Sequence, residues 1–284
     1  MITRTWSALG LKYNPFSPDV PVEALWVSPR TEHFCWRVQN QVREGGFALV
    51  SGDVGTGKSV TMRVLADRLG ALRDVTVGTL THPRSRVADF YREMGELFGA
   101  TLTASNRWGG FKALREKWHA HIDATLMRPV LLIDEAQEMY PEVLSELRML
   151  TSTCFDSRAI LTVVLAGDTR LPEMFRREEL VPLGSRMRVR MVHEYATREE
   201  LRGCLVHRLT EAGNAALATP QLLDTLCEHA AGNYRVLLTM AAELLDAAVA
   251  RECTTLDEKL YLDVFATPVA RRGAAAPTTK AARR

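Results

Sequence analysis

The chain has 284 residues, room for one large or two modest domains, and at 46% apolar content it can bury a proper core. Its 36 basic and 34 acidic residues leave a net charge of only +2, so bulk charge points to no nucleic-acid partner. No apolar run approaches bilayer length and the amino end lacks a signal-peptide core, so a soluble, cytoplasmic protein with no membrane contact is expected. Cys35, Cys154, Cys204, Cys227 and Cys253 form no C-x-x-C pair, and most sit in apolar, helix-like contexts, so buried thiols are expected rather than disulfides or metal ligands.

Residues 1–29 read as a loop-rich segment centred on Tyr13-Asn14-Pro15-Phe16-Ser17-Pro18. A helix is predicted from Arg30 to Glu44, with Phe34, Val38 and Val42 at four-residue spacing and Gly45-Gly46 as its stop. The apolar run Phe47–Val50 then leads into Gly52-Asp53-Val54-Gly55-Thr56-Gly57-Lys58-Ser59, followed by a helix-like run from Val60 to Leu69. Strand, glycine-rich loop and helix with G-x-x-x-x-G-K-[ST] spacing make a phosphate-binding loop. Its glycines let successive N–H groups, from Asp53 to Val60, point inward at an anion at a helix N-terminus. Lys58 can reach the β- and γ-phosphates, and Ser59 can offer its hydroxyl to Mg²⁺. The expected ligand is a nucleoside triphosphate.

Val75–Thr81 reads as a second strand. A helix over Ser85–Gly99 would bury Val87, Phe90, Tyr91, Met94, Leu97 and Phe98. Residues 100–110 read as a polar loop, and Phe111–Leu126 as a further helix. Pro129-Val130-Leu131-Leu132-Ile133-Asp134-Glu135 has the unbroken apolar run of a parallel strand buried on both faces. Its two carboxylates fall where ligands meet such a sheet, so Asp134 would hold Mg²⁺ and Glu135 would polarise the attacking water. A helix over Glu142–Thr151 and a strand over Ile160–Ala166 follow. Asp168, just past that strand, could orient the water, or Gly167-Asp168-Thr169 could simply be a turn.

Arginines crowd Leu183–Arg190 before a last strand, Arg188–Val192. Arg186 is the choice for a guanidinium projected into a neighbouring subunit's nucleotide. Strand signals end after Thr197. Capping boxes at Thr197/Glu200 and Thr255/Glu258, Thr219-Pro220, Gly213 and Gly232 divide residues 196–266 into about four helices, a small domain after an α/β domain over 30–195. Arg235, in Gly232-Asn233-Tyr234-Arg235, could fold back over the phosphates. Residues 267–284 carry five basic residues and no acid from Pro268 onward, and are expected to be a disordered basic tail.

This constellation resembles the AAA+ ATPases over nearly the whole chain: an α/β phosphate-loop domain with a central parallel sheet, then a helical lid. Tyr13–Phe16, the phosphate loop and Ile133-Asp134-Glu135-Ala136-Gln137 look like the branch holding ExeA-type secretion ATPases and the helper ATPases of DNA transposons. The resemblance implies ATP hydrolysis, with Asn14, Pro15 and Phe16 against the adenine. It also implies that Asp168 is the first sensor, Arg186 the finger and Arg235 the second sensor. Gln or Asn is commoner than Asp at the first sensor, so Asp168 is a departure. The transposon helpers are short, soluble proteins that polymerise on double-stranded DNA and present it to a transposase. The secretion ATPases carry a membrane span and a wall-binding region after the ATPase, neither of which follows here. The expected function is therefore an ATPase that assembles as a ring or helical filament on DNA during transposition. The alternative is a secretion or signalling ATPase acting as a protein-binding switch without DNA. Candidate phosphate contacts to DNA are Arg84, Arg86, Arg107 and Lys112.

Overall fold

The computed structural model describes residues 6–100, 107–155 and 157–265. The expected basic tail, and residues 101–106 of the expected polar loop, lie outside them. Among the described residues the core is a five-stranded, all-parallel sheet: β1 (Gly46–Gly52), β2 (Val77–Leu80), β3 (Val130–Ile133), β4 (Thr162–Gly167) and β5 (Met187–His193), in the spatial order β2-β3-β4-β1-β5. The two-residue period of a strand sends alternate side chains to opposite faces. Phe47, Leu49, Leu131, Ile133, Val163 and Leu165 face one layer of helices, and Ala48, Val50, Val130, Leu132, Val164 and Ala166 face the other. β5 is an edge strand, and its exposure alternates.

The second face is covered by α1 (Pro29–Gln41), capped by the Ser28 hydroxyl, and α2 (Lys58–Gly70). The first face is covered by α3 (Val87–Phe98), α4 (Arg107–Thr125) and α5 (Pro141–Thr151). Fully buried Trp118 meets Phe98 edge-to-face, with ring centroids 5.4 Å apart. Burying each such large side chain contributes about 1.5–3 kcal/mol. Short helices α6 (Arg170–Met174) and α7 (Val181–Gly184) link β4 to β5.

Among the described residues four helices follow: α8 (Arg198–Ala212), α9 (Pro220–Ala230), α10 (Tyr234–Ala250) and α11 (Glu258–Phe265). Thr197 and Glu200 form the expected capping box, and Thr219 caps α9. The second expected box differs. Asp257 accepts the Leu260 N–H at 2.8 Å, while Glu258 accepts from the Thr219 hydroxyl at 3.1 Å. The helices share a core with Leu9, Leu11 and Phe16. Lys12 N–H bonds the Ala212 carbonyl at 2.8 Å, so the amino-terminal segment is fastened to the helical portion.

Arg107-Trp108-Gly109-Gly110, expected in a loop, forms the first turn of α4. Gly110 is buried there against the Tyr91 ring, where an added Cβ would stand 3.1 Å from Cδ1. The glycine serves close helix packing and does not break the helix. No helix among the described residues is long and apolar enough to cross a membrane.

Candidate nucleotide-binding site

Parallel pairing brings the motifs to one edge. Ser51 pairs with Gly167 and Ile133 with Leu165, so the phosphate loop, Asp134-Glu135 and Asp168 all leave the carboxyl ends of neighbouring strands β1, β3 and β4. Adjacent strands lie about 4.8 Å apart, which keeps the three turns within reach of one triphosphate.

In the loop, Gly57 occupies the left-handed region (φ 107°) as N-cap of α2. Buried Lys58 turns its ammonium back onto the carbonyls of Gly52 and Asp53, both at 2.8 Å. The Thr56 hydroxyl donates to the Asp53 carbonyl at 2.8 Å. Ser59 lies exposed on the first turn of α2, and Asp53 and Val54 are exposed on the loop. The ammonium satisfied only by peptide oxygens, a helix N-terminus and the exposed hydroxyl fit a magnesium triphosphate.

Asp134 is half-buried and its carboxylate accepts the Glu135 N–H at 2.9 Å. Glu135 is exposed and is bonded by the Gln137 amide at 2.5 Å. Both Asp168 oxygens are engaged by Arg170, through its N–H at 2.9 Å and its Nε at 2.8 Å. Arg170, and more weakly Lys58, hold the Asp168 carboxyl below the usual range. Its carboxylate is thus committed to its own turn.

The lid touches the loop directly. Asn233 caps α10 by accepting the N–H groups of Arg235 (2.9 Å) and Val236 (3.2 Å). Its amide also donates to the Val54 carbonyl at 3.0 Å, and Tyr234 N–H donates to the Gly55 carbonyl at 3.0 Å. A Cβ on Gly55 would collide with the Asn233 side chain. Arg235 is exposed at the start of the same helix.

Between loop and lid lies a cleft of about 350 Å³, lined in part by Trp26, Thr61, His193, Arg208 and Tyr234. His193 Nε2 lies 2.9 Å from the Thr61 hydroxyl. Burial, with the nearby charges of Lys58 and Arg30, pushes His193 down to about 4, so the ring is neutral at physiological pH. Asn14, Pro15 and Phe16 do not line this cleft. Phe16 is buried in the helical core, and Arg208 donates to the carbonyls of Pro15 (3.0 Å) and Ser17 (3.2 Å). The segment lies behind the wall that Arg208 forms. Arg208 itself is buried, and its Nε has no hydrogen-bond partner.

Arg186 stands at the other edge of the sheet, just before β5, in a groove with Arg43, Arg128, Arg158 and Arg188. Met187 pairs beside Phe47, at the amino end of β1, so a strand length of about 20 Å separates it from its own phosphate loop. Of the DNA candidates, Arg84 is exposed and shares a groove with Asp89, Glu93 and Glu96, and Arg86 stacks over the Tyr140 ring at 5.7 Å. Arg107 is paired with buried Glu146, which also accepts from the Tyr91 hydroxyl. Lys112 pairs with Glu116 at 3.7 Å.

Residues 41–175 match the family described as AAA domain. General secretion pathway protein A of Aeromonas hydrophila is 30% identical over 247 residues, covering 85% of this chain. The chain spans only 44% of that relative. The ORC2 protein of Aeropyrum pernix, in its ADPNP-ADP complexes, superposes with a TM-score of 0.68 at 16% identity, covering 88% of this chain and 71% of that one. Domain III of the replication initiation protein DnaA from Thermotoga maritima gives a TM-score of 0.59 at 19% identity, covering 88% of this chain and 96% of that one. The fold is that of the AAA+ ATPases, and residues 41–175 match the AAA domain family.

Proposed function

We propose that the chain is an ATP-driven AAA+ switch that self-assembles on duplex DNA. The observation that carries the assembly is the position of Arg186: it stands a strand's length from its own phosphate loop and beside an arginine-lined groove, suited to meet a neighbour's nucleotide. The Asp53–Val60 loop binds the phosphates, with Lys58 moving from the loop carbonyls to phosphate oxygens. Ser59 and Asp134 hold Mg²⁺, which when bound neutralises phosphate charge. Trp26, Tyr234 and Arg208 form the walls for the base. Glu135 takes a proton from the attacking water, and Arg235 follows the lid. Arg84 and Arg86 contact DNA phosphates; Arg107 and Lys112, held by Glu146 and Glu116, contribute less.

The test is electron microscopy of the protein with duplex DNA and a slowly hydrolysed ATP analogue. Rings or filaments on DNA are expected, and only monomers with no DNA retained at low salt would refute the proposal. Mixing Arg186→Ala with Glu135→Gln subunits should restore part of the turnover each lacks alone, because finger and base belong to different subunits. Within this reading, the Tyr13–Phe16 and Ile133–Gln137 sequences, which resemble the secretion ATPases and the transposon helpers alike, are compatible with delivery of DNA to a transposase. The Aeromonas hydrophila relative favours a second reading, a secretion or signalling ATPase that binds protein partners. ATP hydrolysis indifferent to DNA selects the second.

A further inference from the structure

After β3 the chain passes through Glu135 in the left-handed region (φ 52°, ψ 37°) into a single 3-10 turn, Ala136–Glu138. Gln137 in that turn is buried. Its side chain makes two bonds with opposite demands. Oε1 accepts the Asp168 N–H at 3.1 Å, and Nε2 donates to Glu135 Oε2 at 2.5 Å. A peptide N–H can only donate and a carboxylate can only accept, so these partners fix which way the amide points. Space for it is built into β4. A Cβ on Gly167, the last residue of that strand, would collide with Gln137 Oε1. The bridge therefore spans the ends of β3 and β4, while the Asp168 carboxylate beside it is taken by Arg170.

We propose that Gln137 is the positioning residue of the site: its amide aims the Glu135 carboxylate and ties it to the turn after β4, whereas the Asp168 side chain, expected to orient the water, is held by Arg170. The inference rests on Glu135 acting as the base. One bond to Glu135 restricts the carboxylate's rotation and leaves its second oxygen for water. Any shift of the β4 turn moves Asp168 N–H, and through Gln137 it moves Glu135. Gly167 is the accessory that admits the bridge.

Four single variants and one double variant test it. Gln137→Leu keeps the volume and removes both bonds; kcat for ATP should fall about 10- to 100-fold, the value of a hydrogen bond to a charged group. KM should stay within about twofold, because a positioning role leaves ground-state binding untouched. Gly167→Ala, which displaces the amide by crowding, should reproduce the same split, and should add little when Gln137 is already Leu. A readout independent of turnover is the Gln137 side-chain NH₂ signal in nucleotide-free protein. It should be protected from exchange, and lose that protection in Glu135→Ala. Wild-type kcat in Gln137→Leu, a KM that rises as kcat falls, or an unprotected NH₂ signal overturns the proposal. Glu135→Gln keeps the two failures apart: turnover there refutes the base assignment, whereas a dead Glu135→Gln beside a fully active Gln137→Leu refutes only the bridge.

Discussion

Asn233 joins lid to phosphate loop, and its two functions can be separated by substitution. Its side-chain oxygen caps α10, and its NH₂ group bonds the Val54 carbonyl at 3.0 Å. Asn233→Ala removes both. Loss of a cap costs about 1 kcal/mol and loss of one neutral hydrogen bond about 1 kcal/mol. At about 2–4 °C per kcal/mol for a chain of this size, the sum of roughly 2 kcal/mol lowers Tm by about 4–8 °C. Asn233→Asp keeps the cap and loses the donor, so its Tm should fall by only about half as much. Its carboxylate, however, faces the Val54 carbonyl beside the phosphate cradle, so ATP affinity should fall further than in the Ala variant. Calorimetry and equilibrium nucleotide binding give the two quantities. Amide exchange at Tyr234, whose N–H is bonded to the Gly55 carbonyl, reports the joint itself and should quicken in both variants. A Tm for Asn233→Ala within about 1 °C of wild type, or an unchanged Tyr234 exchange rate, would refute the reasoning.

His193 makes stability pH-dependent. Its folded value near 4 lies below the ordinary 6.5, so the unfolded chain binds the extra proton first. Its contribution is complete above about 6.5 and is lost as pH falls toward 4, amounting to about 3 kcal/mol. Urea unfolding across that window should show the slope, and His193→Asn should flatten it. Lys58→Ala should abolish measurable ATP binding by fluorescence titration while leaving the fold's circular dichroism intact; unchanged affinity would defeat the phosphate-loop assignment. Arg107→Ala leaves buried Glu146 without its guanidinium, bonded by the Tyr91 hydroxyl, and should destabilise by about 1–2 kcal/mol, discounted because Arg107 itself is largely exposed. Thermal melts check this, and weakened DNA retention without a lower Tm would restore Arg107 as a DNA contact.

The sheet was legible because β1, β3 and β4 are unbroken apolar runs ending in chemistry-bearing residues, and buried parallel strands have no polar face to disguise them. The phosphate loop was legible because its spacing is nearly unique to its task. Three features were not. Gly109-Gly110 read as a loop, since a glycine that admits the Tyr91 ring looks in sequence like one that ends a helix. The Thr255 box yielded to Asp257, a carboxylate one residue before Glu258 that competes for the same cap. The cleft walls at Trp26, His193 and Arg208 come from distant parts of the chain, and no local spacing announces them. Asn233 was legible in principle, as an Asn just before a helix is an N-cap, but its second bond is made to peptide atoms 179 positions away. Gln137 offered only its place two residues after Glu135.

The joint between loop and lid is chemically lopsided. On the lid side it depends on a particular amide, but on the loop side it is made of main-chain oxygens at Val54 and Gly55. Every amino acid supplies that oxygen, so the exposed position 54 is free to drift in evolution without loosening the hinge. Positions 55 and 233 are not, the first because any side chain would strike the second. Sequence variation around this loop should thus be uneven, with a permissive position 54 directly beside a position 55 that admits no side chain.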